Sequence, residues 1–489
     1  MLNWILLTIV LNIIAYLIEF ILDFMQSRKL RTATIPMKLL DYIEDEEFNK
    51  MKSYSLLRLA FSRLESTYGV ISEVGILLCG VLIWVRKFSV QIDLFLYETI
   101  FPGSEPPDAQ DECFIIAQGV TFIFIVSLSS AVMKTPFEMY RIFVIDTGFN
   151  FGARVANYIL DQLKMFFIAF VVGIPLLALI LKLIMIGSPV DWVYVWLGSA
   201  ALIVGLFELY PNFLAPMFNS FRGKIRNAWS INVNKVLDNA VLRKLIDQLA
   251  TKVDFPAAEI VCMDGSTRSE HANAFIMGSG RNKKIVLYDN MLDLLTTEET
   301  VAVLAHEMGH YKFHHANKTM LLQIGSMGFY LFLLSQTMYS VDFYKSFGFE
   351  EFDFNDEMKP GVGLCLFSYL YQPLGNAMSV LSNVVSRSFE YTCDEFALEL
   401  GYDMEPPLIQ MHVNSINNLI VDKHYSRYYN SHPSLMERLE HIEEWKRRST
   451  THRRTSNQQK ITLKEETSND FEDESINLYL KKTFHYKTQ

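Results

Sequence analysis

The sequence predicts a mostly helical, integral-membrane fold in which seven helices cross the bilayer and the larger polar regions gather on its cytosolic side. Three observations carry that reading. Half of the 489 residues are hydrophobic and only 20% are charged, less charge than soluble globular chains usually carry. The apolar residues are collected into long runs, and a spanning helix needs about 20 mostly apolar residues in succession. The segments between the runs alternate between basic and acidic or neutral, as loops do on opposite faces of a membrane.

The seven runs lie near Leu2–Phe24, Val70–Trp84, Cys113–Val132, Met165–Ile186, Val190–Phe207, Met320–Tyr339 and Val362–Val385. The first lacks the basic start and small-residue cleavage site of a signal peptide and is too long for one, so it reads as a retained helix. The second is short, and the last two carry polar residues. A buried helix of a soluble domain produces the same pattern at those three. The link after the first run is basic, with Arg28, Lys29 and Arg31 among its charges. The stretch Phe88–Glu112 has no Lys or Arg, the third link carries Lys134 and Arg141, and the fourth is a short turn at Gly187–Pro189. The link between runs six and seven is acidic through Glu350–Glu357. Seven crossings keep this alternation, with the N-terminus lumenal and the C-terminus cytosolic; an even number breaks it.

The chain therefore divides into residues 1–218 (five helices and their loops), 219–318 (a cytosolic-side polar region), 319–385 (helices six and seven), 386–447 (a second cytosolic part) and a polar tail, 448–489. In the first polar region, Glu259–Met263 and Lys284–Asp289 read as short strands, with turns at Phe275–Gly280 and Arg281–Lys283. The tail mixes charge with Ser and Thr and reads as disordered. A net charge of −10 gives no basic patch, so nucleic acid is not an expected partner. Five scattered cysteines indicate neither a disulfide framework nor a cysteine metal knuckle.

The chemistry is concentrated just before run six. Thr296-Thr297-Glu298-Glu299 has the capping-box pattern that opens a helix. Ten residues on comes His306-Glu307-Met308-Gly309-His310. Residues four apart project from one helical face, so both imidazoles meet one point, and two neutral imidazoles suit Zn²⁺. Glu307 can then reach a water at the metal without ligating it, which is the HExxH arrangement. The plain alternative is a surface helix with two unrelated histidines. His314 and His315, just beyond, read as bystanders or interface residues. A catalytic zinc wants a third protein ligand and an open position. The segment after run seven emerges on the same side and offers Glu390, Asp394 and Glu395. Glu390 and Asp394 share a helical face, so one can ligate while the other orients a ligand.

The blocks HEMGHYK, SRSFEYTCDEFALELG and SHPSLMERL resemble the three signature blocks of the type I CAAX prenyl proteases, zinc-dependent integral-membrane proteases of the endoplasmic reticulum and inner nuclear membrane. TPFEMYRIFVID, YPNFLAPMF, DFPAAEIVCMDGSTRSEHANAF and KKIVLYDNML match the same family in order and spacing, so the likeness covers most of the chain. It implies seven helices enclosing a water-filled chamber, with a zincin-like domain of helices and a small sheet. It implies His306, His310 and Glu390 as zinc ligands, one ion per chain, and Glu307 as base and proton shuttle. It further implies Asp394 as partner of a ligand histidine, His432 as the group steadying the oxyanion, and Asn273 and Ala274 on an edge strand that pairs with substrate. The implied substrates are prenylated protein C-termini, cut to remove the last three residues, beside the lipid bilayer. Cys393 and Ser388 depart from the family's usual Ala and Arg, and Met308 and Tyr311 from its Leu and Trp.

Two other readings compete. One is a membrane quality-control metalloprotease, which shares HExxH and a distant Glu with fewer crossings. The other is a non-catalytic receptor or transporter, for which Glu19 and Pro175 inside spanning runs are the only hints.

Overall fold

The computed structural model describes residues 3–105, 107–108, 111–149, 155–185, 190–209, 221–224, 240–255, 260–263, 273–277, 284–349, 360–414 and 419–451. The turns expected at Gly187–Pro189 and Arg281–Lys283, the boundary at residues 218 and 219, the acidic segment Glu350–Glu357 and the tail from 452 onward lie outside them. The chain forms two compact units, Met1–Leu435 and Met436–Gln489. The described part of the second is helical through residue 451, so the first residues of the expected disordered tail, 448–451, are ordered.

The first unit is mostly helical. Helix α1 (Trp4–Thr32) opens on Asn3, whose side chain accepts the Leu6 amide, and closes with Lys29 and Arg31 against the negative end of its dipole. Its 29 residues extend about 43 Å, ample for a hydrocarbon core of about 30 Å. Leu6, Ile14, Leu17, Ile21 and Phe24 are exposed along it, an outward apolar surface that suits lipid.

The expected second span is interrupted. Helix α2 (Asp45–Leu78) ends inside the run Val70–Trp84, and α3 (Val81–Ile100) leaves at 71° to it. The break sits at Gly80, whose φ of +64° is left-handed and open to glycine at little cost. Helix α4 (Glu112–Tyr140), capped by Asp111, continues into wider π-type turns over Arg141–Asp146. Helix α5 (Val155–Ile168) widens over Ala169–Gly173 before α6 (Ile174–Ile184), where Pro175 lacks the amide an unbroken ladder would use. Helix α7 (Asp191–Leu209) follows. Among the described residues four helical stretches are long and apolar enough to cross a membrane, or five with the bent α2–α3 pair.

A four-stranded mixed sheet is built from β1 (Phe221–Lys224), β2 (Ile260–Met263), β3 (Ala274–Met277) and β4 (Lys284–Tyr288), in the order β1-β2-β4-β3. Of the expected strands at 259–263 and 284–289, residues 260–263 and 284–288 are strand, Asp289 opens a helix instead, and residue 259 lies outside the described residues. The expected turn at Phe275–Gly280 is instead strand β3 through Met277, held antiparallel to β4 from Ala274↔Leu287 to Met277↔Lys284. Helix α8 (Ala240–Val253) precedes β2, and α9 (Asp289–Leu294) follows β4.

Then come α10 (Thr297–Lys312), α11 (His315–Met338), α12 (Val341–Ser346), the 40-residue α13 (Pro360–Glu399), α14 (Glu405–Asn414) and α15 (Lys423–Tyr429). Leu366 and Leu370 of α13 share a buried cluster with Phe122 of α4 and Phe343 of α12, and Trp4 of α1 packs on it. Glycines permit a close crossing of α4 and α13, since a Cβ on Gly361 would lie 2.5 Å from the Gly119 Cα. Polar ties join the same helices. Asn12 donates to Glu73 and to the Tyr369 carbonyl, while Asn376 and Tyr428 both donate to Glu19. Glu19, a hint of transport in the sequence, is thus satisfied as an interhelical tie.

Candidate metal centre

Helix α10 is positioned by its ends. Thr296 accepts the Glu299 amide through Oγ1, and Glu299 accepts the Thr296 amide at 2.8 Å, the reciprocal cap that the sequence predicts. Its inward face, including Val301, Leu304, Ala305 and Met308, is buried. Gly309 lets α10 lie directly on α13, for a Cβ there would meet the Cys393 Sγ, Cα and Cβ at 3.1–3.2 Å. That close crossing brings the two halves of the site together.

His306, His310 and Glu390 form one cluster. The two Nε2 atoms are 3.3 Å apart, and Glu390 places Oε2 3.4 Å from His306 Nε2 and Oε1 3.4 Å from His310 Nε2. A tetrahedral ion bound at about 2.0–2.1 Å separates its ligand atoms by roughly 3.3–3.4 Å. The two imidazole nitrogens have the separation of two corners of a metal tetrahedron, and the Glu390 carboxylate spans the pair with one oxygen toward each, all within metal-cluster reach. His306 and Glu390 are buried, while His310 is partly open. Two imidazoles and one carboxylate form a donor set suited to a divalent transition metal.

The surrounding groups set the state of these donors. Asp394, fully buried, lies 2.9 Å from His306 Nδ1. A proton held there leaves the Nε2 lone pair facing the cluster. His432 Nδ1 is 3.1 Å from Glu390 Oε2. Burial alone would raise Glu390, but the neighbouring imidazoles of His306, His310 and His432 outweigh it and hold its carboxyl well below the usual carboxylate range. Glu307, one position beyond His306, is pushed above that range by burial first, with Glu390 adding to the effect and the histidines opposing it. A carboxyl shifted upward in this way is suited to taking a proton.

Glu395, the other acid weighed as a ligand, belongs to neither metal-capable cluster among the described residues. Ala274 opens β3, the edge strand of the sheet, and Asn273 just precedes it. The Asn273 carbonyl accepts the Tyr288 amide, and its side chain accepts the Ala274 amide. Strand β3 packs beside α10.

Two residues at the site escape sequence reasoning. His315, read there as a bystander, is buried with Nδ1 3.1 Å from His310 Nδ1. Burial first and His310 next lower its pKa to about 3. Helical spacing hides it, because the helix is interrupted at His314, whose φ is +55°. The buried Arg387 fixes the His432 segment by donating to Ser426 and to the His432 carbonyl.

Residues 26–220 match the family model of the CAAX prenyl protease N-terminal region, described as five membrane helices, and residues 237–446 match peptidase family M48. The chain is 32% identical to a CAAX prenyl protease 1 homolog of Arabidopsis thaliana, covering 88% of this chain and 95% of that one. CAAX prenyl protease 1 of Saccharomyces cerevisiae is 30% identical over 88% of this chain and 92% of its own. The crystal structure of S. mikatae Ste24p superposes with a TM-score of 0.78 at 27% identity, covering 90% of this chain and 99% of that one. Matched along nearly its whole length by a relative at this identity, and by two successive family models, the chain belongs to the CAAX prenyl protease 1 branch of the M48 metallopeptidases.

Proposed function

We infer that this multi-pass membrane metalloendopeptidase removes the C-terminal aaX tripeptide from prenylated CAAX proteins, with zinc held by His306, His310 and Glu390. The observation that carries the reading is the convergence of His306, His310 and Glu390, with the two imidazole nitrogens 3.3 Å apart and a carboxylate oxygen 3.4 Å from each, in a chain similar over 88% of its length to a protein named for that activity.

When bound, zinc supplies Lewis acidity to a water and to a peptide carbonyl. Glu307 takes the proton from the attacking water on its carboxylate and returns it to the leaving amide nitrogen. Asp394 keeps the His306 Nδ1 proton in place. His432, already against Glu390, stands beside the cluster to donate to the carbonyl oxygen as negative charge develops on it, worth about 2.7–4 kcal/mol for a well-placed donor. The edge of β3, from Asn273 and Ala274, offers backbone groups to an extended substrate, the β-augmentation mode.

In this reading seven helices cross the membrane, with α11 and α13 completing the set, and enclose a chamber. Residues 219–318 and 386–447 combine into a zincin-like domain on the cytosolic side, below the five-helix region 1–218 and the pair in 319–385. The endoplasmic reticulum membrane, with the inner nuclear membrane, is the place where prenylated C-termini would meet it. A farnesyl chain partitions into lipid and delivers the peptide to the bilayer surface.

The test is cleavage of a farnesylated peptide ending Cys-a-a-X by detergent-purified protein with its zinc counted. Glu307→Gln and a non-prenylated peptide serve as controls. Near one zinc per chain, tripeptide release by the wild type, and a loss of about 10²–10⁴-fold in Glu307→Gln are expected. Equal cleavage of the non-prenylated peptide would move the protein to membrane quality control.

A further inference from the structure

His310 and His306 are not oriented alike. His306 has the Asp394 carboxylate on its Nδ1. Among the described residues His310 has on its Nδ1 another histidine, His315 Nδ1 at 3.1 Å. Two facing ring nitrogens at that distance share one proton, and its position decides what His310 can do. With the proton on His315, His310 must accept at Nδ1 and carry its own hydrogen on Nε2, which removes that atom as a metal ligand. With the proton on His310, its Nε2 lone pair faces His306 Nε2 and Glu390, and His315 is the acceptor.

We propose that His315 is the positioning residue of the second ligand histidine: its Nδ1 accepts the His310 Nδ1 proton and so fixes the tautomer and ring angle in which His310 binds the metal. This rests on the reading that His310 is a ligand. The His315 ring is built into place. It stacks on Phe389 at 4.0 Å and 7° and on Phe313 at 5.7 Å and 24°, and 4% of it is exposed. Phe389 directly precedes Glu390, so the surface that orients His315 moves with the third ligand. The other polar neighbour is Cys393, whose Sγ is 3.5 Å from the same His315 nitrogen. A thiol is a weak donor beside an imidazole N–H, so the stronger partner is His310.

The decisive measurement is zinc affinity by chelator competition, with the Co²⁺ absorption spectrum of the substituted protein as a second readout. His315→Phe keeps the stack on Phe389 and removes the acceptor. Its zinc affinity is expected to fall about 10–100-fold, the usual effect of losing such a partner. His315→Asn places an amide oxygen near the Nδ1 position and is expected to recover most of the loss and the wild-type Co²⁺ spectrum. Should the Phe variant fold poorly, His315→Gln puts its acceptor one bond too far and is expected to behave like the Phe form. Cys393→Ala is expected to bind zinc as tightly as the wild type.

Wild-type affinity in His315→Phe, or equal loss in the Phe and Asn variants, overturns the proposal while leaving the ligand set intact. A loss in Cys393→Ala as large as in His315→Phe overturns it in favour of the thiol. Two zinc ions per chain, falling to one in Cys393→Ala, also overturns it, since His310 Nδ1 would then be a ligand rather than a donor. Undiminished zinc binding by His310→Ala strikes the ligand assignment itself and is separable from all of these.

Discussion

Arg387 donates from Nη1 to the backbone carbonyl of His432 at 3.3 Å, and the same nitrogen reaches the Ser426 hydroxyl at 2.8 Å. The guanidinium is buried, one turn before Glu390 on α13. The helix that supplies Glu390 therefore also holds the loop that brings His432 to it.

Arg387→Met is expected to lower kcat/KM at least tenfold while zinc content stays near wild type. It removes the guanidinium donor from the buried Ser426 hydroxyl and from the His432 carbonyl, a loss of about 1–3 kcal/mol where the acceptor is buried, and frees the His432 segment. Arg387→Lys recovers little, because one ammonium cannot reproduce the planar fork. Zinc analysis beside steady-state kinetics separates this outcome from loss of the metal.

Asp394→Asn preserves shape at a buried position and removes the charge facing His306 Nδ1. Zinc is expected to dissociate about 10–100-fold more readily on dialysis against chelator. An unchanged rate would show that the carboxylate does not tune His306.

Gly309→Ala changes no polar group. Its new methyl would sit 3.2 Å from the Cys393 Cα, a backbone atom that cannot rotate away. The expected cost is about 1–3 kcal/mol of overpacking, read as a lower thermal midpoint and weaker zinc retention. Adding Cys393→Ala removes only the Sγ contact, so recovery is expected to be partial. Full recovery would mean that the sulfur alone was the obstacle.

Chelation is expected to abolish cleavage and to lower the thermal midpoint. Zinc restored to about 100 times its dissociation constant returns roughly 2.7 kcal/mol of stability. Magnesium, which prefers oxygen ligands, is expected to restore neither. Differential scanning fluorimetry with each ion provides the check.

What the sequence discloses here is what depends on neighbours a few residues away. Thr296 and Glu299 announce the start of α10, and the four-residue spacing of His306 and His310 sets both rings on one face, since a helix fixes such relations by itself. The third ligand is a different matter. Membrane sidedness narrows it to Glu390, Asp394 and Glu395, but choosing among them depends on how α13 is rotated against α10. That rotation is set by Gly309 meeting Cys393, a contact no local pattern announces. His315 is concealed for a related reason, because the left-handed residue His314 breaks the helical register between α10 and α11. The break at Gly80 is masked by the continuous apolar run around it. Strands β1 and β3, four residues each, are too short to show a period.

The two sides of the metal cluster are far apart in order of synthesis. His306 and Asp394 are 88 positions apart, with all of α11 and α12 and most of α13 between them. A nascent chain that has released its two histidines therefore has no carboxylate to complete the cluster until both long helices have been threaded and packed. On the proposed ligand set, ion capture by all three residues would then be a late event in maturation. On the same ligand set, a chain truncated before residue 390 would lack the carboxylate and is expected to retain no zinc.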